Sequence, residues 1–266
     1  MSENKNDNMN DNNNRDKKNK IRVAAILSGG ESTRLQQVTR FKALAQIAGE
    51  SLINRLVKEL LALGIERIVV ALNFNMQSLD FENDERLAVF KLPQVSRIFV
   101  STPSSMHTLY QIYKYLYANY SSASSASPQD FSHLFVSMVD TIVRSDELKG
   151  FYRSACELLT PEQSMILTTK YIDDEKPLTV DVDGQFVSAF AIPVESATLV
   201  TSGLYCFSSS VVYPLLETSI NSGQEKLRNF LAQIIKSNYA IKNYTIDKTI
   251  DVDRPEDLVL AQRFIE

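Results

Sequence analysis

The feature that most constrains the fold is an apolar run at residues 21–27 that opens directly into Ser28-Gly29-Gly30-Glu31-Ser32-Thr33-Arg34-Leu35, with Lys42 seven residues beyond Leu35. A short apolar run ending in small residues reads as a buried strand feeding a tight turn. Paired glycines let backbone amides approach an anion closely, and Arg34 and Lys42 add fixed positive charge beside them. Such a strand–turn–cation series is a phosphate grip at a carboxyl strand end, where open α/β sheets place their ligands. It is not a Walker A loop, because no Gly-Lys-Ser/Thr closes it, and it lacks the Gly-x-Gly-x-x-Gly spacing.

Beyond that grip, strand-like and helix-like segments alternate. Residues 22–27 form the first predicted strand. Ser51 is placed to cap a helix whose apolar positions Leu52, Ile53, Leu56, Val57, Leu60 and Leu61 fall at helical spacing, with Gly64 ending it. A β-branched strand at 67–72 completes a βαβ unit. Further strands are expected at 96–101 and 133–139, the latter ending at Asp140, with a helix from 104 or 105 through 117 between them. The Ser/Ala stretch 121–127 before Pro128 reads as a loop. Shorter strands are expected at 165–169, 179–182 and 187–191, helices at 209–218 and 224–236, a strand at 244–252 and a helix at 255–264. The alternation predicts an α/β, Rossmann-like mixed and mostly parallel sheet flanked by helices.

Of the 266 residues 44% are hydrophobic, enough for a substantial core. Residues 1–20, rich in Asn, Asp and Lys, have almost nothing to bury and read as a disordered tail before a single domain at 21–266. With four acidic and five basic residues the tail is no basic arm, and the remainder is net negative, so no nucleic-acid partner is expected. No apolar run approaches the roughly 18 residues of a membrane helix, and the N-terminus has no apolar core for a secretory signal. Cys156 and Cys206 are isolated, indicating neither zinc nor a disulfide framework. The expectation is a cytoplasmic enzyme without a membrane partner. Oligomeric state is not legible in this sequence.

Ser-Gly-Gly-x-Ser-Thr-Arg-Leu, followed by Lys42-Ala43-Leu44 and then Ile47-Ala48-Gly49-Glu50-Ser51-Leu52-Ile53, resembles the opening of the nucleotidyltransferases with a GT-A-like fold. That superfamily includes sugar-phosphate nucleotidylyltransferases, phosphocholine cytidylyltransferases and molybdenum-cofactor nucleotidyltransferases. Two departures stand out: Phe41 occupies the usual proline position, and the spacer before Lys42 is about a residue short. The resemblance implies a nucleoside triphosphate as donor, a phosphorylated small molecule as acceptor, and Mg²⁺ as cofactor. It assigns residues of about 21–145 to the triphosphate and about 146–266 to the acceptor.

Nucleotidyl transfer is an in-line attack by a phosphate oxygen on the α-phosphorus, so the protein must align two anions and neutralise charge. On the resemblance, Leu27, Ser28, Gly29, Gly30, Glu31, Ser32 and Thr33 wrap the triphosphate, Arg34 takes its β- and γ-phosphates, and Lys42 holds the α-phosphate or the incoming phosphate. Asp140 stands where the family strand ends in a magnesium-binding acid, with Val139 in place of a glycine. The segment Ile250-Asp251-Val252-Asp253-Arg254-Pro255-Glu256-Asp257-Leu258 is similar to the family's Asp-x-x-Thr-Pro-Glu-Asp-Leu, whose first aspartate completes the metal site. Asp253, three residues before Glu256 and ahead of Pro255, reads first as a helix cap and second as a ligand. Asp251 has no such structural use and is the second expected ligand. Thr201-Ser202-Gly203-Leu204-Tyr205 resembles the strand beside the acceptor, which places Ser202 and Gly203 there.

Other readings stay open at this level. Asp181-Val182-Asp183 has glycosyltransferase spacing, but Gly184 behind it favours a hairpin turn. His107 and the tyrosines at 110, 113, 115, 117 and 120 fit packing at least as well as base recognition. A sugar phosphate is the expected acceptor. Transfer to phosphocholine or to a molybdenum cofactor, a glycosyltransferase of this fold, and a non-catalytic nucleotide-binding homologue are the alternatives.

Overall fold

The computed structural model describes residues 20–30, 34–120, 131–171 and 177–266. The expected tail and the 121–127 loop fall outside this set, apart from Lys20. In chain order the strands are β1 (Val23–Ser28), β2 (Gln46–Ile47), β3 (Glu50–Ser51), β4 (Arg67–Asn73), β5 (Val95–Val100), β6 (His133–Met138), β7 (Thr141–Ile142), β8 (Ser164–Thr169), β9 (Thr179–Asp183), β10 (Phe186–Phe190), β11 (Leu199–Ser208), β12 (Ile241–Ile246) and β13 (Ile250–Asp251). The helices are α1 (Leu52–Ala62), α2 (Ser105–Tyr120), α3 (Ser145–Leu158), α4 (Ser209–Asn221), α5 (Leu227–Lys236) and α6 (Pro255–Ile265).

Nine strands form one mixed sheet in the order β5-β4-β1-β6-β11-β8-β12-β10-β9. The half built first in sequence, β5-β4-β1-β6, is parallel throughout. From β11 onward neighbours run antiparallel, except that β8 and β12 are parallel. Every residue of β1 is buried. Ala24 and Ile26 point into a core with α1 and α3, while Val23, Ala25 and Leu27 point into a second core with α2, α4 and α5. Burial on both faces is why this strand reads as a continuous apolar run rather than an alternation.

Local signals account for several boundaries. The Ser51 hydroxyl accepts from the Asn54 N–H at 3.3 Å, capping α1, and Gly64 ends the segment at φ 87°. Gly184, at φ 59°, turns β9 into β10, with Asp183 opposite Phe186. The Asp-x-Asp at 181–183 is thus part of a hairpin. Helix α3 begins at Ser145 with Arg144 as its uncapped N-terminal neighbour, and the Ser145 hydroxyl instead donates to Glu59 Oε1 at 3.2 Å.

The expected strand at 244–252 is two strands. β12 starts earlier, runs beside β8 from Ile241 to Ile246, and loses its partner where β8 ends at Thr169. There the Thr169 hydroxyl donates to the Asp247 carbonyl at 2.8 Å and the chain turns out of the sheet. β13 then pairs antiparallel with β7 in a separate two-stranded ribbon. This departure sets the position of Asp251.

Candidate active site

The carboxyl ends of β1 and β6 open on two adjoining cavities. The smaller, about 350 Å³, is lined by Leu27, Gly29, Gly30, Asn73, Ser101, Thr102 and neighbours. The larger, about 450 Å³, includes Arg34, Tyr171, Thr201, Gly203, Asp251 and Asp253. Ser104, Ser105 and Met138 line both, so the two lie side by side.

The expected phosphate loop is described in part. Gly29 packs so tightly that a Cβ there would lie 2.8 Å from Val100 Cγ2, whereas one on Gly30 would meet open space. The Asn73 amide donates to the Gly29 carbonyl at 3.1 Å, fastening the turn to the end of β4. Leu27, Gly29 and Gly30 line the smaller cavity, while Ser28 is buried at the end of β1. Glu31, Ser32 and Thr33 lie outside the described residues.

Lys42 opens a short 3-10 turn whose Ala43 and Leu44 are buried, and Phe41 before it is buried in the same core. With its base anchored, the side chain crosses to two acids. Its Nζ is 2.6 Å from Asp140 Oδ2 and 2.5 Å from Asp253 Oδ1. Arg34 Nη1 lies 3.4 Å from the other oxygen of Asp253. Burial alone lowers an amine's pKa, but the charges of Asp140 and Asp253 and their hydrogen bonds outweigh it, so Lys42 is shifted upward and carries its proton.

Asp140 and Asp251 come together through the β7–β13 ribbon. Thr141 sits opposite Asp251, and the Val252 N–H donates to the Asp140 carbonyl at 3.0 Å. The Thr141 hydroxyl donates to Asp251 Oδ1 at 2.9 Å. Asp251 meets solvent along the cleft but is enclosed by protein on its other sides. That enclosure, then the charge of Asp140, pushes its pKa upward against the Thr141 bond. The two neighbouring carboxylates offer oxygen ligands of the kind a hard divalent cation prefers. Among the described residues no group of three or more His, Cys, Asp and Glu side chains is placed to hold a metal.

Asp253 does not cap α6. That task falls to Asp257, whose carboxylate accepts from the Arg254 N–H at 2.7 Å and the Asp253 N–H at 2.9 Å. The spacing to Glu256 suggested the wrong pair, and the Asp253 side chain instead faces Arg34 and Lys42. On the acceptor side, Gly203 lines the larger cavity at φ 77°, beside a register shift in β11. Ser202 is buried, its hydroxyl donating to the Leu167 carbonyl at 3.0 Å.

The structure adds residues that the sequence reading missed: Asn73, Ser101, Thr102 and Thr141. Thr141 was within reach, as the hydroxyl next to Asp140 on the strand end. His107 turns its Nδ1 toward Ser104 Oγ at 2.9 Å and lines neither cavity. Tyr110, Tyr113 and Tyr117 gather around Tyr213 of α4, with centroid separations of 4.4–5.9 Å. They are helix–helix packing.

The model of the MobA-like NTP transferase domain family matches residues 24–237. No curated protein matches the chain. Among solved structures it is similar to the inositol-1-phosphate CTP transferase from T. maritima (17% identity, TM-score 0.66, covering 92% of this chain and 98% of that one). It is also similar to the CTP:phosphocholine cytidylyltransferase from Streptococcus pneumoniae (18%, TM-score 0.62, 92% and 100%). A third is a putative glucose-1-phosphate thymidylyltransferase from Bacillus anthracis (12%, TM-score 0.70, 91% and 94%). At these identities the likeness is one of fold.

Proposed function

The chain belongs to the MobA-like NTP transferase domain family, and from that premise we propose that it moves a nucleoside monophosphate unit from a nucleoside triphosphate to a sugar phosphate, releasing pyrophosphate. The observation that carries this reading is the meeting of Lys42, Arg34, Asp140, Asp251 and Asp253 at the larger cavity, which Arg34, Asp251 and Asp253 line. Four separate stretches of chain supply those five groups.

In this reading the triphosphate lies along the Gly29-Gly30 turn, with its nucleoside in the smaller cavity and the acceptor in the larger. A phosphate oxygen of the acceptor attacks the α-phosphorus in line. The bond between that phosphorus and the α–β bridging oxygen breaks, its electron pair leaving with pyrophosphate. Lys42 bears on the reacting phosphates and Arg34 on the departing pair, offsetting charge as it moves outward. Asp140 and Asp251 are the residues that would hold Mg²⁺, which when bound supplies Lewis-acid charge to the triphosphate. Thr141 keeps Asp251 oriented for that purpose.

Of the acceptors named for the three similar structures, inositol 1-phosphate and glucose 1-phosphate support a phosphorylated polyol or sugar, and phosphocholine is the exception. The test is pyrophosphate release with Mg²⁺, using CTP, GTP, UTP, ATP and dTTP each against a pool of sugar phosphates, with phosphocholine and phosphorylated pterin precursors included. Release that requires one triphosphate and one sugar phosphate is the expected result. Absence of any triphosphate binding would overturn the reading.

A further inference from the structure

Asp253 is held in a way that neither a helix cap nor a metal ligand requires. Asp257 performs the capping, accepting from the backbone of both Asp253 and Arg254. The two oxygens of Asp253 are instead divided between two cations, Oδ1 at 2.5 Å from Lys42 Nζ and Oδ2 at 3.4 Å from Arg34 Nη1. A carboxylate bridging an ammonium and a guanidinium offers each an anionic oxygen, as two oxygens of a phosphate group would.

We infer that the Asp253 carboxylate takes the place of a phosphate on Lys42 and Arg34, and that a binding triphosphate evicts it from both. This rests on the assignment of those two cations to the triphosphate. The side chains on the outer part of the bridge are open to solvent, with 42% of the Asp253 side chain and 52% of the Arg34 side chain exposed, whereas Lys42 is 18% exposed. Asp253 is therefore able to rotate outward while its backbone stays fixed by Asp257 and by the Asp251 carbonyl, which accepts its N–H at 3.1 Å.

The stand-in has two effects. It keeps Lys42 and Arg34 compensated and oriented when no substrate is present. It also makes every polyphosphate compete with an internal anion, so triphosphate binding is weaker than the two cations alone would give. Asp253 is accordingly a positioning residue that sets affinity through Lys42 and Arg34.

The experiment is calorimetric titration of CTP, GTP, UTP, ATP, dTTP and inorganic tripolyphosphate into the full chain and into Asp253→Asn, each in EDTA and again with Mg²⁺. Asparagine keeps the backbone bonds and removes the charge. The expected result is tripolyphosphate bound roughly fivefold to tenfold more tightly by Asp253→Asn in EDTA, the size expected for one lost charge-assisted competitor. Asp253→Glu should retain the weaker, wild-type affinity. Equal or weaker metal-free binding by Asp253→Asn would overturn the inference. Weakening seen only with Mg²⁺ would also overturn it, making Asp253 a metal ligand from the start. Wild-type protein that binds no triphosphate in either condition would sink the proposed function and this inference together. Wild-type binding with no gain in Asp253→Asn would remove this inference alone.

Discussion

The Lys42 ammonium and the Asp140 carboxylate, 98 residues apart in the chain, meet at 2.6 Å across the carboxyl ends of β1 and β6. This contact joins the short 3-10 turn Lys42–Leu44 to the acid that follows β6. It makes the site one electrostatic unit before any substrate arrives.

Replacing Lys42 with Met keeps the length of the side chain and removes the charge. Asp140 and Asp253 would then lose their shared cation. Pyrophosphate release should fall by about 10²- to 10³-fold, as when one charge-stabilising donor is lost. Initial-rate assays check this, with circular dichroism to establish that the variant is folded.

Asp251 has its pKa raised by enclosure and by Asp140. A carboxyl group shifted upward contributes stability that is full below its unfolded pKa of about 3.9 and is lost as pH rises through the folded value. Asp251→Asn should therefore raise the melting temperature of metal-free protein at pH 8 and make little difference near pH 4. The same substitution, like Asp140→Asn or EDTA, should abolish Mg²⁺-dependent turnover. Thermal melts across pH, paired with activity assays, separate the two effects. A lower melting temperature at pH 8 would contradict the stability prediction.

Gly203 sits at φ 77°, and a Cβ there would fall 2.5 Å from the Thr141 hydroxyl oxygen that holds Asp251. Gly203→Ala combines backbone strain with a clash, costing about 1–3 kcal/mol for the strain alone. Denaturant unfolding should register that loss, and activity should drop as the Thr141–Asp251 bond is pushed apart.

His133 is buried at the start of β6, within hydrogen-bond reach of the Gln163 carbonyl at 3.1 Å. Burial lowers its pKa, with the Gln163 bond opposing only in part. A histidine shifted downward favours the folded state fully above its unfolded pKa of about 6.5, and that stability is lost as pH falls below it. His133→Gln still offers a donor to the carbonyl and has no titration. Its stability should change less between pH 7 and pH 5 than that of the wild type, measured by urea unfolding.

The parallel half of the fold was readable because its inner strands β1, β4 and β6 are buried on both faces and its first helix carries a clear cap and stop. Ser51 and Gly64 mark α1, and the apolar run before Ser28 marks β1. The Gln46–Ser51 hairpin escaped because its strands are two residues each, and its turn rests on Ala48 at φ 52° before Gly49. A strand end and the resemblance to the family's motifs brought Asp140 and Asp251 to notice, but placing Asp251 depended on where β8 ends, a fact of register and not of residue type. Asp253 was misread for a related reason. Two acids, Glu256 and Asp257, follow it within a turn, and only the backbone path decides which one reaches back to cap.

The β13 segment has a consequence for the order in which the protein is made. All nine strands of the main sheet have been synthesised by Ile246, so the sheet can assemble while Asp251 and Asp253 have yet to be added. A nascent chain at that stage carries Lys42 and Asp140 and has neither of the later acids. The β7–β13 ribbon, and with it the approach of Asp251 to Asp140, thus forms only after every strand of the main sheet has been made.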